Sequence, residues 1–212
     1  MKKEVEKKLS SMRLYGIITD KHCRLSWLET AKALIGKVDV LQLRENELPG
    51  SELLRRAKKL RELTDGTKTL LIINDRPDIA LMAGADGVHV GQDDLPAPEI
   101  KRIWGEKLVI GLSTHTLEQA RQAEKIGVDY IGIGPIFATD TKNINRGNGI
   151  KYLKSVCRNL SLPHVAIGGI NEQNARLVIR SGAQSIAAIS ALCDTGSPDE
   201  AATRLLTCLK NV

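Results

Sequence analysis

Asp75 and Asp94 each stand just beyond a short apolar run, and two converging carboxylates are a hard-oxygen donor pair suited to Mg²⁺. Cations stand at similar places: Arg44, two residues after Gln42, and Lys142, in a loop rich in Thr, Asp and Asn. Mg²⁺ takes a few carboxylate oxygens and completes its shell with water and substrate phosphate. An Arg grips a phosphate through two parallel hydrogen bonds. Together these residues point to a phosphorylated substrate held by a metal and by cations. Taken singly, each has a plainer role. An Asp after a strand caps a helix or a turn, an Arg in a barrel pairs with a carboxylate, and a loop Lys is solvated. Gly168-Gly169 offers a second anion site, because backbone N–H groups can approach a phosphate closely there, and Ser190 could complete it. A tight turn is the alternative. His115 could move a proton or hold a structural hydrogen bond, and His89, inside an apolar run, reads as core. No Ser/His/Asp or Cys/His order suggests nucleophilic catalysis.

These residues matter only if the chain brings them to one place. Eight short apolar runs recur: Leu14–Thr19, Val38–Leu43, Thr69–Ile73, Gly87–Val90, Leu108–Leu112, Tyr130–Gly134, His164–Ile167 and Ser185–Ile189. They are too apolar to alternate cleanly, as expected of strands covered on both faces. Helical patterns lie between them. Ser51–Thr64 puts Leu53, Leu54, Ala57, Leu60 and Leu63 on one stripe. Thr116–Ile126 and Asn171–Ser181 repeat the pattern, with Thr116 and Asn171 as caps and Gly127 and Gly182 as stops. Small-residue turns such as Ala83-Gly84-Ala85-Asp86 and Ile126-Gly127-Val128-Asp129 lead into the next strand. This rhythm predicts an α/β chain, a single (β/α)8 TIM barrel over residues 1–212, with a short extra N-terminal helix in residues 1–12. An open doubly wound sheet is disfavoured, since no G-x-G-x-x-G follows the first run. In a (β/α)8 barrel the residues just after the strands share one face, which is where the candidates above fall.

The totals narrow the class. A chain of 212 residues supports one well-buried core. The net charge of +6 suits anionic partners, but aromatic residues make up only 3% and stacking rings for nucleic acid are scarce. The N-terminal Lys2, Lys3, Lys7 and Lys8 alternate with Glu4 and Glu6, which predicts a solvated helix face. We therefore expect no nucleic-acid partner. With no long apolar stretch, we also expect no membrane span or signal peptide. Cys23, Cys157, Cys193 and Cys208 form no C-x-x-C pair, so free thiols in a cytoplasmic protein are expected. Oligomeric state is open, with a homo-oligomer allowed.

In order and spacing, the motifs resemble those of the thiamine-phosphate synthase family. The similar segments are Tyr15–Asp20, Val40–Asn46, Leu71–Ile79, Ala83–Leu95, Ile110–Leu117, Asp129–Lys142, Val165–Ile170 and Ala183–Ala191. The resemblance spans nearly all of the chain after residue 12. It implies a (β/α)8 barrel that joins a hydroxymethylpyrimidine diphosphate to a thiazole phosphate and releases pyrophosphate. It implies Mg²⁺ on Asp75 and Asp94. Gln42, Arg44, Asn74, Ser113 and Lys142 would hold the pyrimidine diphosphate, with Asn46 beside them. Arg44, Ser113 and Lys142 would act in catalysis. Thr139 and Thr141 would border the thiazole, and Gly169, Ile189 and Ser190 would hold its phosphate. In the family the diphosphate leaves first and the thiazole nitrogen attacks the resulting methylene cation. That step needs charge neutralisation more than a base.

The chain departs from the family pattern at two places. Asn46 stands where the family usually has Lys, leaving one diphosphate cation fewer. The segment Lys142–Gly149 also differs from the commoner Pro-rich version, and Arg146 within it could restore a charge. Two other readings compete. A thiazole tautomerase would use the same barrel and His115, but that group tends to lose the Asn-Asp pair and the second metal Asp, both present here. A non-catalytic binder of a thiazole or pyrimidine phosphate would keep ligand affinity after Asp75→Ala and show no turnover.

Overall fold

The apolar runs divide into two faces in the computed structural model, which describes residues 2–139 and 147–210. The strands are β1 (Leu14–Ile18), β2 (Val40–Leu43), β3 (Leu70–Asn74), β4 (Gly87–Val90), β5 (Val109–Thr114), β6 (Tyr130–Ile133), β7 (His164–Ala166) and β8 (Ser185–Ala188). All pair in parallel in chain order, and β8 pairs back onto β1, closing the barrel. Side chains of parallel strands alternate sides. Leu14, Ile18, Leu41, Leu43, Leu71 and Ile73 therefore pack outward against the helices. Tyr15, Ile17, Val40, Ile72, Val109 and Tyr130 form a second cluster inside the barrel. The alternation is hidden in the sequence because both faces are apolar.

The surrounding helices are α2 (Trp27–Leu34), α3 (Gly50–Thr64), α4 (Pro77–Ala83), α5 (Ala97–Trp104), α6 (Leu117–Ile126), α7 (Gly149–Asn159), α8 (Ala175–Arg180), the short α9 (Ser190–Cys193) and α10 (Pro198–Lys210). Thr116 caps α6 as expected, accepting from the Gln119 N–H. The helix expected from Asn171 begins only at Ala175, because the Asn171 and Asn174 side chains tie the preceding residues into turns. On α3 the buried stripe is Leu53, Ala57, Leu60 and Thr64. Arg56 is buried beside them, stacked on Trp27 at 4.9 Å.

The N-terminal helix α1 (Lys2–Ser10) is more than a solvated face. Its Val5 and Leu9 join the interior cluster at the end of the barrel remote from the strand C-termini. Burying a Leu there contributes roughly 1.5–3 kcal/mol. Lys2 bonds the Gly105 carbonyl and pairs with Asp129 at 3.2 Å.

The recurrent turn aspartates hold the same end together. Asp39, Asp86 and Asp129 precede β2, β4 and β6 and donate their N–H groups to the carbonyls of Leu14, Leu71 and Ile110. Each carboxylate then accepts the N–H of that same residue, at 3.0, 2.7 and 2.7 Å. Ahead of β8 the Gln184 side-chain oxygen likewise accepts the His164 N–H, at 3.3 Å, but the Gln184 N–H goes to His164 Nε2. These turn residues are structural and leave the opposite end for chemistry. Gly84 ends α4 at φ 67°, with open space where a Cβ would stand. Gly84→Ala should therefore cost only the left-handed backbone penalty, about 1 kcal/mol, read as a lower urea midpoint at unchanged m-value.

Candidate active site

The C-terminal ends of the strands open into a cleft whose empty space, counted out into the open solvent at its mouth, is roughly 940 Å³. Gln42, Arg44, Asn74, Ser113, Thr139, Gly169, Ile189 and Ser190 all line it, although they are scattered over more than half of the sequence. Strand parity puts them there. Gln42 and Arg44 follow Val40 on the inward side of β2, Asn74 follows Ile72 on β3, and Ser113 follows Val109 on β5. Ser113 was expected just after the fifth strand. It lies within β5, which extends to Thr114 because Ser113 and Thr114 pair with Gly132 and Ile133. A strand holds its hydroxyl more firmly than a loop would.

Asp75 and Asp94 follow the adjacent strands β3 and β4, and neither is among the residues that line this cleft. Asp75 donates its N–H to the His89 carbonyl at 2.8 Å, which fixes it against β4. Its carboxylate accepts from Asn74 Nδ2 at 2.5 Å, and its φ is 59°. Asp94 is exposed, and its Oδ2 accepts the Gly91 N–H at 2.7 Å. Asn46 is exposed in the loop between β2 and α3. Thr141, Lys142 and Arg146 lie outside the described residues.

Arg44 is half-buried and forms no salt bridge with a described residue. Glu45, next to it in sequence, belongs with Asp20 to another arginine: Arg56 Nη1 is 2.7 Å from Asp20 and 3.5 Å from Glu45. Burial raises the Glu45 pKa above the usual range, and Arg56 and Arg44 pull it back. The structural ion pair open to Arg44 from sequence is thus not formed with a described residue, and Arg44 lines the cleft.

After β7 the chain turns through Gly168 and Gly169, at φ 106° and 63°, held by Phe137 N–H to Gly168 O and Asn174 Nδ2 to Gly169 O. After β8, Ile189 leads into α9, whose first residue is Ser190. Gly168, Gly169, Ile189 and Ser190 all line the cleft, and the loops after strands seven and eight are where this fold frequently binds phosphate.

Of two histidines, His115 takes the structural role open to it and His89 departs from its reading as core. His115 is tethered, its Nδ1 donating to the Gly134 carbonyl at 2.7 Å and its backbone N–H to Gln119. His89 is not packed core. It points into the barrel and lines the cleft, with Tyr130 Oη 3.0 Å from Nδ1 and Ser113 Oγ 2.9 Å from Nε2. Tyr15 and Tyr130 were also missed. A signal existed in the glycines of neighbouring strands: a Cβ on Gly111 would stand 2.2 Å from the Tyr130 ring and 2.4 Å from His89 Nδ1.

The sequence matches the thiamine monophosphate synthase family over residues 14–192. The chain belongs to that family. Curated thiamine-phosphate synthases are similar along most of its length. The one from Pelotomaculum thermopropionicum is 48% identical over 161 residues, covering 76% of this chain and 74% of that one. The one from Vibrio parahaemolyticus is 41% identical, covering 94% and 98%. The solved thiamine phosphate pyrophosphorylase from Pyrococcus furiosus superposes with a TM-score of 0.87 at 35% identity, covering 95% and 97%. A 3-hexulose-6-phosphate synthase, 19% identical with a TM-score of 0.68, shares the fold alone. Membership in the thiamine monophosphate synthase family makes the chain a transferase of thiamine biosynthesis acting on phosphorylated small molecules. No helix among its described residues is long and apolar enough to cross a membrane.

Proposed function

We propose that the chain joins hydroxymethylpyrimidine diphosphate to hydroxyethylthiazole phosphate at this cleft, in a Mg²⁺-dependent reaction that releases pyrophosphate. The observation that carries this reading is Arg44, a cation lining the cleft with no salt bridge to a described residue. Arg44 and Asn74 hold the diphosphate, with Lys142 and Asn46 contributing from the loops. Gln42 and Ser113 hold the pyrimidine ring beneath it. Thr139 and Thr141 border the thiazole, and the turn at Gly169 with Ile189 and Ser190 binds its phosphate.

The donor set fits Mg²⁺. Asp75 and Asp94 supply carboxylate oxygens from adjacent strand ends, and a hard cation completes its shell with water and diphosphate. Among the described residues no group of three or more His, Cys, Asp or Glu side chains that could hold a metal forms. The cation would draw negative charge from the leaving diphosphate.

The residues of the chain do the rest. The bond between the methylene carbon and the diphosphate oxygen breaks, and its electrons leave with the oxygen. Arg44 and Lys142 stabilise that developing charge, and the thiazole nitrogen lone pair closes the new C–N bond. No proton need move at the reacting atoms, so the tethered His115 is no obstacle. Holding both substrates in one cleft removes much of the entropic barrier. The setting we infer is the cytoplasm, a reading that the four free cysteines support.

Purified protein with both substrates and Mg²⁺ should yield thiamine phosphate and pyrophosphate in equal amounts. EDTA should stop the reaction and added Mg²⁺ restore it. Product no higher than in a control lacking protein would sink the proposal.

A further inference from the structure

A continuous line of hydrogen bonds crosses the floor of the cleft. Gln42 Nε2 donates to Tyr15 Oη at 2.7 Å. The Tyr15 and Tyr130 hydroxyls are 3.0 Å apart. Tyr130 Oη is 3.0 Å from His89 Nδ1, and His89 Nε2 is 2.9 Å from Ser113 Oγ. Both tyrosines are buried from water, and burial raises their pKa values and keeps the phenols protonated. The line starts and ends on residues that line the cleft, Gln42 and Ser113.

Counting protons gives the line a direction. An amide nitrogen only donates, and a phenol has one hydrogen. Tyr15 accepts from Gln42, so its own hydrogen goes to Tyr130, the other partner within reach. The Tyr130 hydrogen then goes to His89 Nδ1, which must be bare. A neutral imidazole carries its hydrogen on Nε2, which donates to Ser113 Oγ. A protonated His89 would leave a buried phenol hydrogen without an acceptor. Ser113 already accepts from His89, so its own hydrogen is left for a ligand. Gln42 spends one of its two Nε2 hydrogens on Tyr15, and its carbonyl oxygen is the acceptor left for a ligand.

We infer that Tyr15, Tyr130 and His89 are positioning residues, forming a one-way relay that makes Gln42 an acceptor and Ser113 a donor toward the substrate ring. The matching ring offers an N–H at one edge and a lone pair at another. An aminopyrimidine does so through its exocyclic amine and a ring nitrogen; its oxo counterpart, although it carries a ring N–H and lone pairs of its own, sets a carbonyl oxygen where the amine stood, against the Gln42 oxygen. This assignment rests on the pyrimidine reading above, but the relay is a property of the protein alone. Reversing it would require the Gln42 amide to turn over, and the site would then prefer the oxo ring.

Imidazole nitrogen NMR of the wild-type protein with Mg²⁺ tests the relay directly. His89 should be neutral with its hydrogen on Nε2, and a hydrogen on Nδ1 overturns the inference. Kinetics give the second readout. Tyr130→Phe removes one link and should raise KM for the pyrimidine diphosphate about tenfold while cutting the preference for amino over oxo substrate by a similar factor. KM for the thiazole phosphate and inhibition by pyrophosphate should stay put. His89→Gln, which can still donate to Ser113, should keep most of the ring preference that His89→Leu loses. A fall in kcat with ring preference intact would mark the line as mere packing. If the wild type makes no product, the proposed function fails, while the tautomer of His89 still decides the relay.

Discussion

Replacing Asp75 with Asn should lower kcat by about 10²–10³-fold at saturating Mg²⁺, the size expected when one preorganised charge-stabilising group is lost. Asn is the informative substitution. Asp75 is the single described residue other than glycine with a positive φ, 59°. Asn tolerates that left-handed backbone, whereas Ala would add strain there. The backbone N–H can still reach the His89 carbonyl, and an amide oxygen can still accept from Asn74 Nδ2. What disappears is the negative charge. Stability should therefore shift by less than about 1 kcal/mol, as for most substitutions that leave packing intact. Stopped assays would measure kcat, and a thermal melt would check the fold. A kcat within about threefold of wild type would remove Asp75 from the metal site, because a true ligand acts on the transition state.

Gly169→Ala should show the second large effect, and on both stability and binding. At φ 63° an alanine pays the left-handed penalty, and its Cβ would stand 2.4 Å from the Ala138 carbonyl oxygen and 2.9 Å from Phe137 Cβ. A backbone oxygen cannot swing aside like a long side chain, so the turn after β7 must move. We expect a loss of about 2–4 kcal/mol from strain plus repacking. The displaced turn should raise KM for the thiazole phosphate by at least about tenfold, since misplacement near 1 Å is costly in a preorganised site. KM for the pyrimidine diphosphate should change far less, because its contacts come from β2, β3 and β5. Unaltered affinity for the thiazole phosphate in a folded Gly169→Ala protein would detach this turn from phosphate binding.

Much of the barrel is legible in the amino-acid order because its elements are local. Eight apolar runs, capping residues such as Thr116 and glycine stops such as Gly127 act over a few residues, and they mark the strands and helices where the chain forms them. The candidates just beyond those runs were legible for the same reason: parallel strands joined by helices must all end on one face, so Arg44, Asn74 and Ser113 meet. Where local signals compete, boundaries moved. Asn171 caps a turn rather than α8, and pairing with β6 drew Ser113 into β5.

The direction in which a strand residue points is a different kind of fact. His89 and Val88 are both apolar-strand positions, yet one lines the cleft and the other packs against helices. Tyr15 and Tyr130 are 115 residues apart, and their hydroxyls meet because the register around the closed barrel sets both at one level inside it. A register slip of one residue would turn every such side chain to the other face. Residue types alone thus settled the barrel and the face on which its strands end. The polar line under the cleft and the place of Arg44 in its lining came from closure, because only pairing β8 with β1 sets inward parity and depth for all eight strands at once.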